Sequence, residues 1–264
     1  MSTTEIISNY YANYDEDGRL ARKWNSIEFL TTMRYIERYL TPGAKIADIG
    51  AGTGYYSRTI ANRGYEVESV ELSPHHIAIF KENLRPEQKI NIHQGNALDL
   101  HMFGDNTFDI TLVLGPMYHL FTPEDKNQAI SEALRITKPG GVVFVAYCIS
   151  DSTLLSDGFG RGRVDAANHY WNGKIDQETF KIKSQPEDIF EQVRKEDIDQ
   201  IMKPFAVDRL HYVSTDLVAR FIRDALEEMD DETFAFYLRY HYVICERADM
   251  VGLTAHSLDV FRKL

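Results

Sequence analysis

The chain has 264 residues, 44% of them hydrophobic, enough for one large domain or a domain with a cap over a real core. Its formal charge of −11 argues against a general affinity for nucleic acid or for an anionic membrane surface, both of which need a basic footprint. Cys148 and Cys245 are too few for a disulfide scaffold and match no metal spacing, no apolar run reaches the roughly 18 residues of a membrane helix, and the N-terminus lacks the basic-then-apolar pattern of a secretory leader, so the expected location is cytoplasmic.

Residues 5–40 read as helical. Ile27, Leu30, Met33, Ile36, Tyr39 and Leu40 recur at helical spacing, and Thr41-Pro-Gly43 stops the run. Strand and helix signals then alternate, with strands predicted near 45–49, 66–71, 90–94, 108–114 and 141–148 and helices over 54–63, 75–84 and 124–137. Lys138-Pro-Gly-Gly141 reads as a turn feeding the apolar run Val142-Val-Phe-Val-Ala-Tyr147. Such runs between helices indicate a parallel sheet buried on both faces. Residues 150–184 are irregular and rich in Gly, Asp, Asn and aromatics, the profile of a lid or binding loop. A helix is predicted over 186–202 from Pro186, a strand over 205–213, helices over 215–229 and 231–247, and a last strand over 258–261.

The chemistry starts at Lys45-Ile-Ala-Asp-Ile-Gly-Ala-Gly-Thr-Gly54, a buried strand running into a glycine turn, with Asp48 just before the turn. Gly50, Gly52 and Gly54 would let a ligand lie against the backbone; a tight turn with no ligand is the alternative. Glu71 ends the next apolar run about 20 residues on, where an acid can take both ribose hydroxyls. Asp48 discriminates between cofactors. A pyrophosphate at this helix N-terminus would be repelled by it, whereas an ammonium or sulfonium would be attracted. A dinucleotide fingerprint also needs a third glycine where this chain has Tyr55. S-adenosylmethionine (AdoMet) therefore fits better than NAD. Asp48 capping the first helix is a compatible second role.

Leu114-Gly-Pro-Met-Tyr-His119 follows the fourth strand, at the carboxyl end of the sheet where ligands sit. Leu114 and Gly115 are expected beside the donor's amino-acid part. Tyr118 and His119 are expected at the acceptor, with His119 a possible proton acceptor because its ordinary pKa is near neutrality; packing is the alternative. His169, Tyr170 and Trp171 form an aromatic cluster that would shape an acceptor pocket or pack on itself. His75 and His76, after Ser73-Pro74, read as solvent-facing, and the acidic stretch from Asp224 to Glu232 as a solvated corner.

The order of these features resembles the class I S-adenosylmethionine-dependent methyltransferase family, well over residues 41–148 and by topology elsewhere. The residues that carry it are Asp48-Ile-Gly-Ala-Gly-Thr-Gly54, Glu71-Leu-Ser73, Gly95-Asn-Ala-Leu-Asp99, Phe108-Asp-Ile-Thr-Leu-Val-Leu114 and Ala133-Leu-Arg-Ile-Thr-Lys-Pro-Gly-Gly141. The resemblance implies an α/β, Rossmann-like fold: a seven-stranded, mostly parallel sheet with the last strand antiparallel, N-terminal helices and a helical and loop cap. It implies four parts: a helical segment covering the cofactor (1–40), an AdoMet-binding core (41–149), a lid (150–185) and the C-terminal part of the sheet with an inserted helical pair (186–264). Ala51, Tyr55, Leu72, Asn96 and Ala97 join the expected cofactor set, Asn96 standing where most members have an acid, with S-adenosylhomocysteine as product. In related small-molecule enzymes an N-terminal aromatic closes the site, which points to Tyr11 or Tyr14 in Tyr10-Tyr-Ala-Asn-Tyr14, and more weakly to Arg19 and Trp24. The implied activity is direct in-line methyl transfer to a small molecule by a monomer or homodimer, with no metal, nucleic acid or membrane. RNA or protein methylation and non-catalytic AdoMet binding are the alternatives; the loop after the fourth strand lacks the Asn/Asp-Pro-Pro-aromatic pattern of amino-methylating nucleic-acid enzymes.

Overall fold

The computed structural model describes residues 6–7, 10–11, 18, 22–167 and 169–264. Its main elements are α1 (Lys23–Glu37), β1 (Lys45–Ile49), α2 (Tyr55–Ala61), β2 (Glu66–Glu71), α3 (Pro74–Glu82), β3 (Ile90–Gln94), β4 (Phe108–Val113), α4 (Pro123–Ile136), β5 (Thr137–Ile149), β6 (Gln192–Val193), α5 (Lys195–Met202), β7 (Val207–Ser214), α6 (Arg223–Glu228), α7 (Asp231–Ile244) and β8 (His256–Lys263). The sheet runs β3-β2-β1-β4-β5-β8-β7, with β6 pairing β5 off that path. β1 to β5 pair in parallel, and β8 lies antiparallel to both β5 and β7. The fold is thus Rossmann-like, with the last strand in sequence reversed.

Both faces of the sheet are covered, which is why its central strands β1, β4 and β5 are mostly apolar. Side chains alternate between faces along each strand. Ala47, Ile49, Val113, Val143 and Val145 pack with Ala129, Ile130, Ala133 and Ile136 of α4. Ile46, Ile110, Leu112, Phe144 and Val260 pack on the other face with Met33 and Ile36 of α1. A smaller cluster joins Ile27 of α1 to Ala219 and Leu226, fastening the helices inserted between β7 and β8 onto α1.

The first four strands end within a residue of their expected limits. Three expectations are corrected. β5 starts at Thr137, so the Lys138–Gly141 segment belongs to the strand, with an irregular register against β4 between Phe108 and Ile110. The helix expected over 186–202 is three pieces: a turn at Pro186–Asp188, the strand β6, and α5. Asp188 accepts from the Gln185 amide at 2.9 Å and closes a single turn, and Ile189 at φ +68° turns the chain out of helix. Asp197 then starts a new helix by accepting from the Arg194 amide at 2.9 Å. The segment expected as a helix over 215–229 is a turn at Leu217–Arg220 followed by α6. Seven strands make the main path and the two-residue β6 is an eighth. Among the described residues no helix is long and apolar enough to cross a membrane, and no group of His, Cys, Asp and Glu could hold a metal ion.

Candidate active site

The tips of β1 and β2 are locked together before any ligand is considered. The amides of Gly50 and Ala51 donate to the Val70 carbonyl at 2.8 and 3.0 Å. The Gly52 amide donates to Glu71 Oε2 at 2.8 Å, and the Ser73 amide to Oε1 at 2.8 Å. Burial opposes the charge on Glu71, but the adjacent His76 ring and these amides outweigh it and hold the carboxyl below its usual range. Asp48 is 1% exposed and accepts from the Ser57 hydroxyl at 2.6 Å. Burial raises its pKa to about 6, with that hydroxyl pulling the other way.

The turn's glycines differ in purpose. A Cβ at Gly54 would lie 2.1 Å from the Phe80 ring, and one at Gly50 would lie 2.6 Å from Pro116. Those two glycines permit close packing. Gly52, at φ +58°, has nothing within 4 Å of where a Cβ would be and lines a cavity of about 310 Å³. That open space leaves room for a ligand against the backbone.

Of the expected cofactor contacts, Tyr11, Asp48, Gly50, Ala51, Gly52, Tyr55, Glu71, Leu72, Asn96, Ala97, Leu114 and Gly115 all line this cavity. Gly54 does not; it serves the helix packing behind it. The Asn96 Oδ1 accepts from the Leu98 amide at 3.0 Å, which orients the side chain and leaves the second lone pair of that oxygen for a donor. Tyr118 and His119 also line the cavity, and the Tyr118 hydroxyl donates to the Leu114 carbonyl at 2.9 Å. Tyr14 and Arg19 lie outside the described residues.

His119, expected at the acceptor, is held at both ring nitrogens. Its Nδ1 is 2.9 Å from the Ile189 carbonyl and its Nε2 is 3.1 Å from the Tyr11 hydroxyl. Burial lowers its pKa from 6.5 to about 4. The ring is neutral and fully engaged at neutral pH, and it ties three parts of the wall together. The expectation that His76 faces solvent is corrected. The residue is buried, its Nδ1 sits 3.6 Å from Glu71, and its ring meets Tyr11 edge-on at 4.7 Å. His75 is exposed as expected. Phe190, which no motif singled out, packs against Tyr10, Tyr118 and His119.

A second cavity, of about 790 Å³, adjoins the first and shares Tyr11, Glu28 and Tyr118 with it. Trp24, Trp171, Ile182 and Phe190 give it apolar wall. Of the expected lid cluster only Trp171 lines it; His169 and Tyr170 are exposed, in a turn whose residues His169–Asn172 all have positive φ. The segment over the site is pinned by Lys126, which donates to Glu191 Oε1 at 2.6 Å, and by the Glu191 amide, which donates to the Tyr118 carbonyl at 2.8 Å.

The floor of the larger cavity holds a charged group that the sequence did not reveal. His256 Nδ1 lies 2.9 Å from Asp216 Oδ2 and 3.5 Å from Glu28 Oε2. Asp216 Oδ1 also accepts from the Thr254 hydroxyl at 2.7 Å and from the Ala255 amide at 2.8 Å. Burial opposes a charge on His256, but the two carboxylates overcome it and hold its pKa well above 6.5. Burial likewise works against the Asp216 carboxylate, and its partners bring the pKa down to about 2.

Residues 47–145 match the family model described as "Methyltransferase domain". The chain is 35% identical over 106 residues to a demethylmenaquinone methyltransferase of Renibacterium salmoninarum, covering 40% of this chain and 41% of that one. It is 26% identical over 167 residues to the 2-methyl-6-phytyl-1,4-hydroquinone methyltransferase of Synechocystis sp., covering 54% and 51%. The chain thus spans about half or less of the length of these curated relatives. Among solved structures, the geranyl diphosphate C-methyltransferase of Streptomyces coelicolor, in complex with Mg2+, geranyl diphosphate and S-adenosylhomocysteine, has a TM-score of 0.59 at 14% identity, covering all of this chain and 99% of that one. A SAM-dependent methyltransferase of Methanosarcina mazei has a TM-score of 0.56 at 17% identity, covering 87% and 97%. At these identities the likeness is one of fold.

Proposed function

Because residues 47–145 belong to the methyltransferase domain family and carry its class I fold, we propose that the chain is an S-adenosylmethionine-dependent methyltransferase acting on a small-molecule acceptor. The observation that carries the reading is the pair of joined cavities: one over Gly52 with Asp48 and Glu71 in its wall, opening past Tyr11, Glu28 and Tyr118 into a larger one. Two substrates held on either side of a neck is the arrangement that in-line transfer requires.

Within this reading, Glu71 takes the ribose hydroxyls, Asn96 and Ala97 border the adenine, and Asp48 with Gly50, Ala51, Leu114 and Gly115 surrounds the cationic amino-acid end. Tyr55 and Leu72 supply apolar wall. Tyr11, joined to His119, closes the site, and Tyr118 stands at the acceptor side. When bound, S-adenosylmethionine supplies a methyl already activated on a sulfonium, so the protein's part is orientation and exclusion of water. Residues 1–40 cover the cofactor, 41–149 bind it, 150–185 form the lid, and 186–264 complete the sheet. The names of the two relatives, which act on a quinone and a hydroquinone, and the aromatic wall support an aromatic acceptor. A cytoplasmic monomer or homodimer acting without nucleic acid or membrane accords with the charge of −11.

Isothermal calorimetry with AdoMet and S-adenosylhomocysteine tests the first step. Saturable binding of both is expected, and no measurable heat from either would end the proposal. Binding without transfer to any member of a quinol and phenol panel would make the chain a non-catalytic AdoMet-binding protein.

A further inference from the structure

We infer that Glu28 is the residue that receives the acceptor, accepting the hydrogen bond and then the proton of a phenolic or hydroquinone hydroxyl at the neck between the two cavities. The inference rests on the methyl-transfer reading and adds to it a residue and an acceptor class.

Position comes first. Tyr11, Glu28 and Tyr118 are the residues shared by both cavity walls, and Glu28 alone among them carries a carboxylate. His119 holds the Tyr11 hydroxyl and the Ile189 carbonyl through its two ring nitrogens, and the Tyr118 hydroxyl donates to Leu114. Asp216 does not line either cavity and is held by Thr254, Ala255 and His256.

The support behind Glu28 is specific. His256 stands between two carboxylates, 2.9 Å from Asp216 and 3.5 Å from Glu28. Of the two carboxylates beside His256, only Glu28 borders the cavities, and its side chain is 17% exposed. A buried ionic group of this kind is a weak source of stability and is characteristic of working sites. Asp216 fixes His256, and His256 fixes Glu28, so both act as positioning residues.

The step balances without any further reactant. The acceptor's hydroxyl proton passes to the Glu28 carboxylate, and the O–H electron pair is released to the attacking atom, either that oxygen or a ring carbon conjugated with it. The new bond to the methyl forms as the S–CH3 bond breaks, and that pair stays on sulfur, which leaves as a neutral thioether. Attack by oxygen gives the methyl ether, whereas attack by carbon gives a dienone that rearomatises as its ring C–H proton is lost to solvent and the oxygen regains the proton held by Glu28. Partial transfer to a positioned carboxylate in the transition state is ordinary general-base catalysis.

The test uses the full chain saturated with S-adenosylhomocysteine, with 4-nitrophenol as probe at a pH where it is protonated and 4-nitroanisole, which lacks the hydroxyl, as its control. The wild type is expected to bind the phenol about tenfold or more tightly than the anisole, the size of one hydrogen bond to a charged group. Glu28→Leu should abolish that preference while S-adenosylhomocysteine affinity stays within about threefold. Glu28→Gln, which keeps an acceptor oxygen but cannot take the proton, should retain part of the preference and lose transfer of radiolabelled methyl to phenols and hydroquinones. His256→Gln should give an intermediate preference at unchanged S-adenosylhomocysteine affinity, which a purely structural role would not produce. Absence of a hydroxyl preference in the wild type, or its survival in Glu28→Leu, overturns the inference. Failure of the wild type to bind S-adenosylhomocysteine is a separate result that removes the methyl-transfer reading itself.

Discussion

Tyr11 and His119 meet in the wall of the smaller cavity, with the Tyr11 hydroxyl 3.1 Å from His119 Nε2. Because the Ile189 carbonyl on the other side can only accept, Nδ1 carries the ring proton and Nε2 accepts from Tyr11. One neutral ring therefore links the N-terminal segment, the loop after β4 and the segment leading to β6. Tyr11→Phe removes one such link, worth about 1 kcal/mol. Calorimetry should show about fivefold weaker binding of S-adenosylhomocysteine. Unchanged affinity would mean that this contact does not close the site.

Acid should loosen the fold through two buried rings. Burial lowers His119 and His241 from 6.5 to about 4. As pH falls, the unfolded chain protonates these rings first, so their contribution is complete above pH 6.5 and is lost on the way down to about pH 4. Each accounts for about 3 kcal/mol over that window. Asp48 acts with the opposite sign, since a carboxyl raised to about 6 disfavours the folded state as pH rises from 3.8. Urea unfolding at a series of pH values should show stability falling between pH 6.5 and 4, less steeply in His119→Gln and more steeply in Asp48→Asn.

Asp48 should also make ligand binding depend on pH. With its pKa at about 6, it is ionised at neutral pH and protonated below that point. A cationic ligand favours the ionised form, so AdoMet affinity should weaken as the pH drops below 6, by up to about tenfold per pH step. In Asp48→Asn, binding should be weaker at pH 8 and flat with pH. A pH-dependence that persists in that variant would assign the titration elsewhere.

Gly52 and Gly54 should separate binding from folding. Both have positive φ, so alanine at either strains the backbone by about 1–2 kcal/mol. Gly54→Ala also drives a methyl into Phe80, adding about 1–3 kcal/mol, and should lower the melting temperature more. Gly52→Ala should melt closer to the wild type yet lose most of its affinity for S-adenosylhomocysteine, because its methyl projects into open cavity. Equal losses of affinity in the two variants would remove Gly52 from the ligand's path.

Lys126 and Glu191 should hold the lid down. Their side chains are 8% and 17% exposed, so Lys126→Met strands a mostly buried carboxylate at a cost of about 3 kcal/mol. The effect is expected locally, as faster tryptic cleavage at Lys181 and Lys183. Lys126→Met combined with Glu191→Met should recover much of the protection. No change in cleavage in the single variant would show that the lid is held by other contacts.

The strands up to β4 were legible from their valines and isoleucines between turn residues: β1 and β4 are mostly apolar and buried, while β2 and β3, nearer the sheet's edge, carry polar residues among them. β6 was not: Gln192 and Val193 form a strand only because Cys148 and Ile149 offer a free edge, which no local pattern encodes. The glycine turn, Asp48 and Glu71 were found from their spacing, but Gly54's packing against Phe80 is visible only once α3 is in place. His76 looked polar and exposed; its five-residue distance from Glu71 around the Ser73-Pro74 turn was the available hint. Glu28 and His256 sit in distant parts of the sequence, and nothing local to either announces the other. The aromatic triplet of the lid was read as one group, whereas its left-handed turn sends Trp171 to the cavity and the other two to solvent.

Placing β8 between β5 and β7 has a bearing on how the chain assembles. β7 emerges from the ribosome well before β8, yet its neighbour in the sheet is β8 alone. Until His256–Lys263 have been synthesised and inserted, β7 has no docking edge, and the edge of β5 that β8 pairs stays open. The two-strand addition is thus a late, long-range event, the kind of pairing that folds slowly and leaves sticky edges for chaperones to guard.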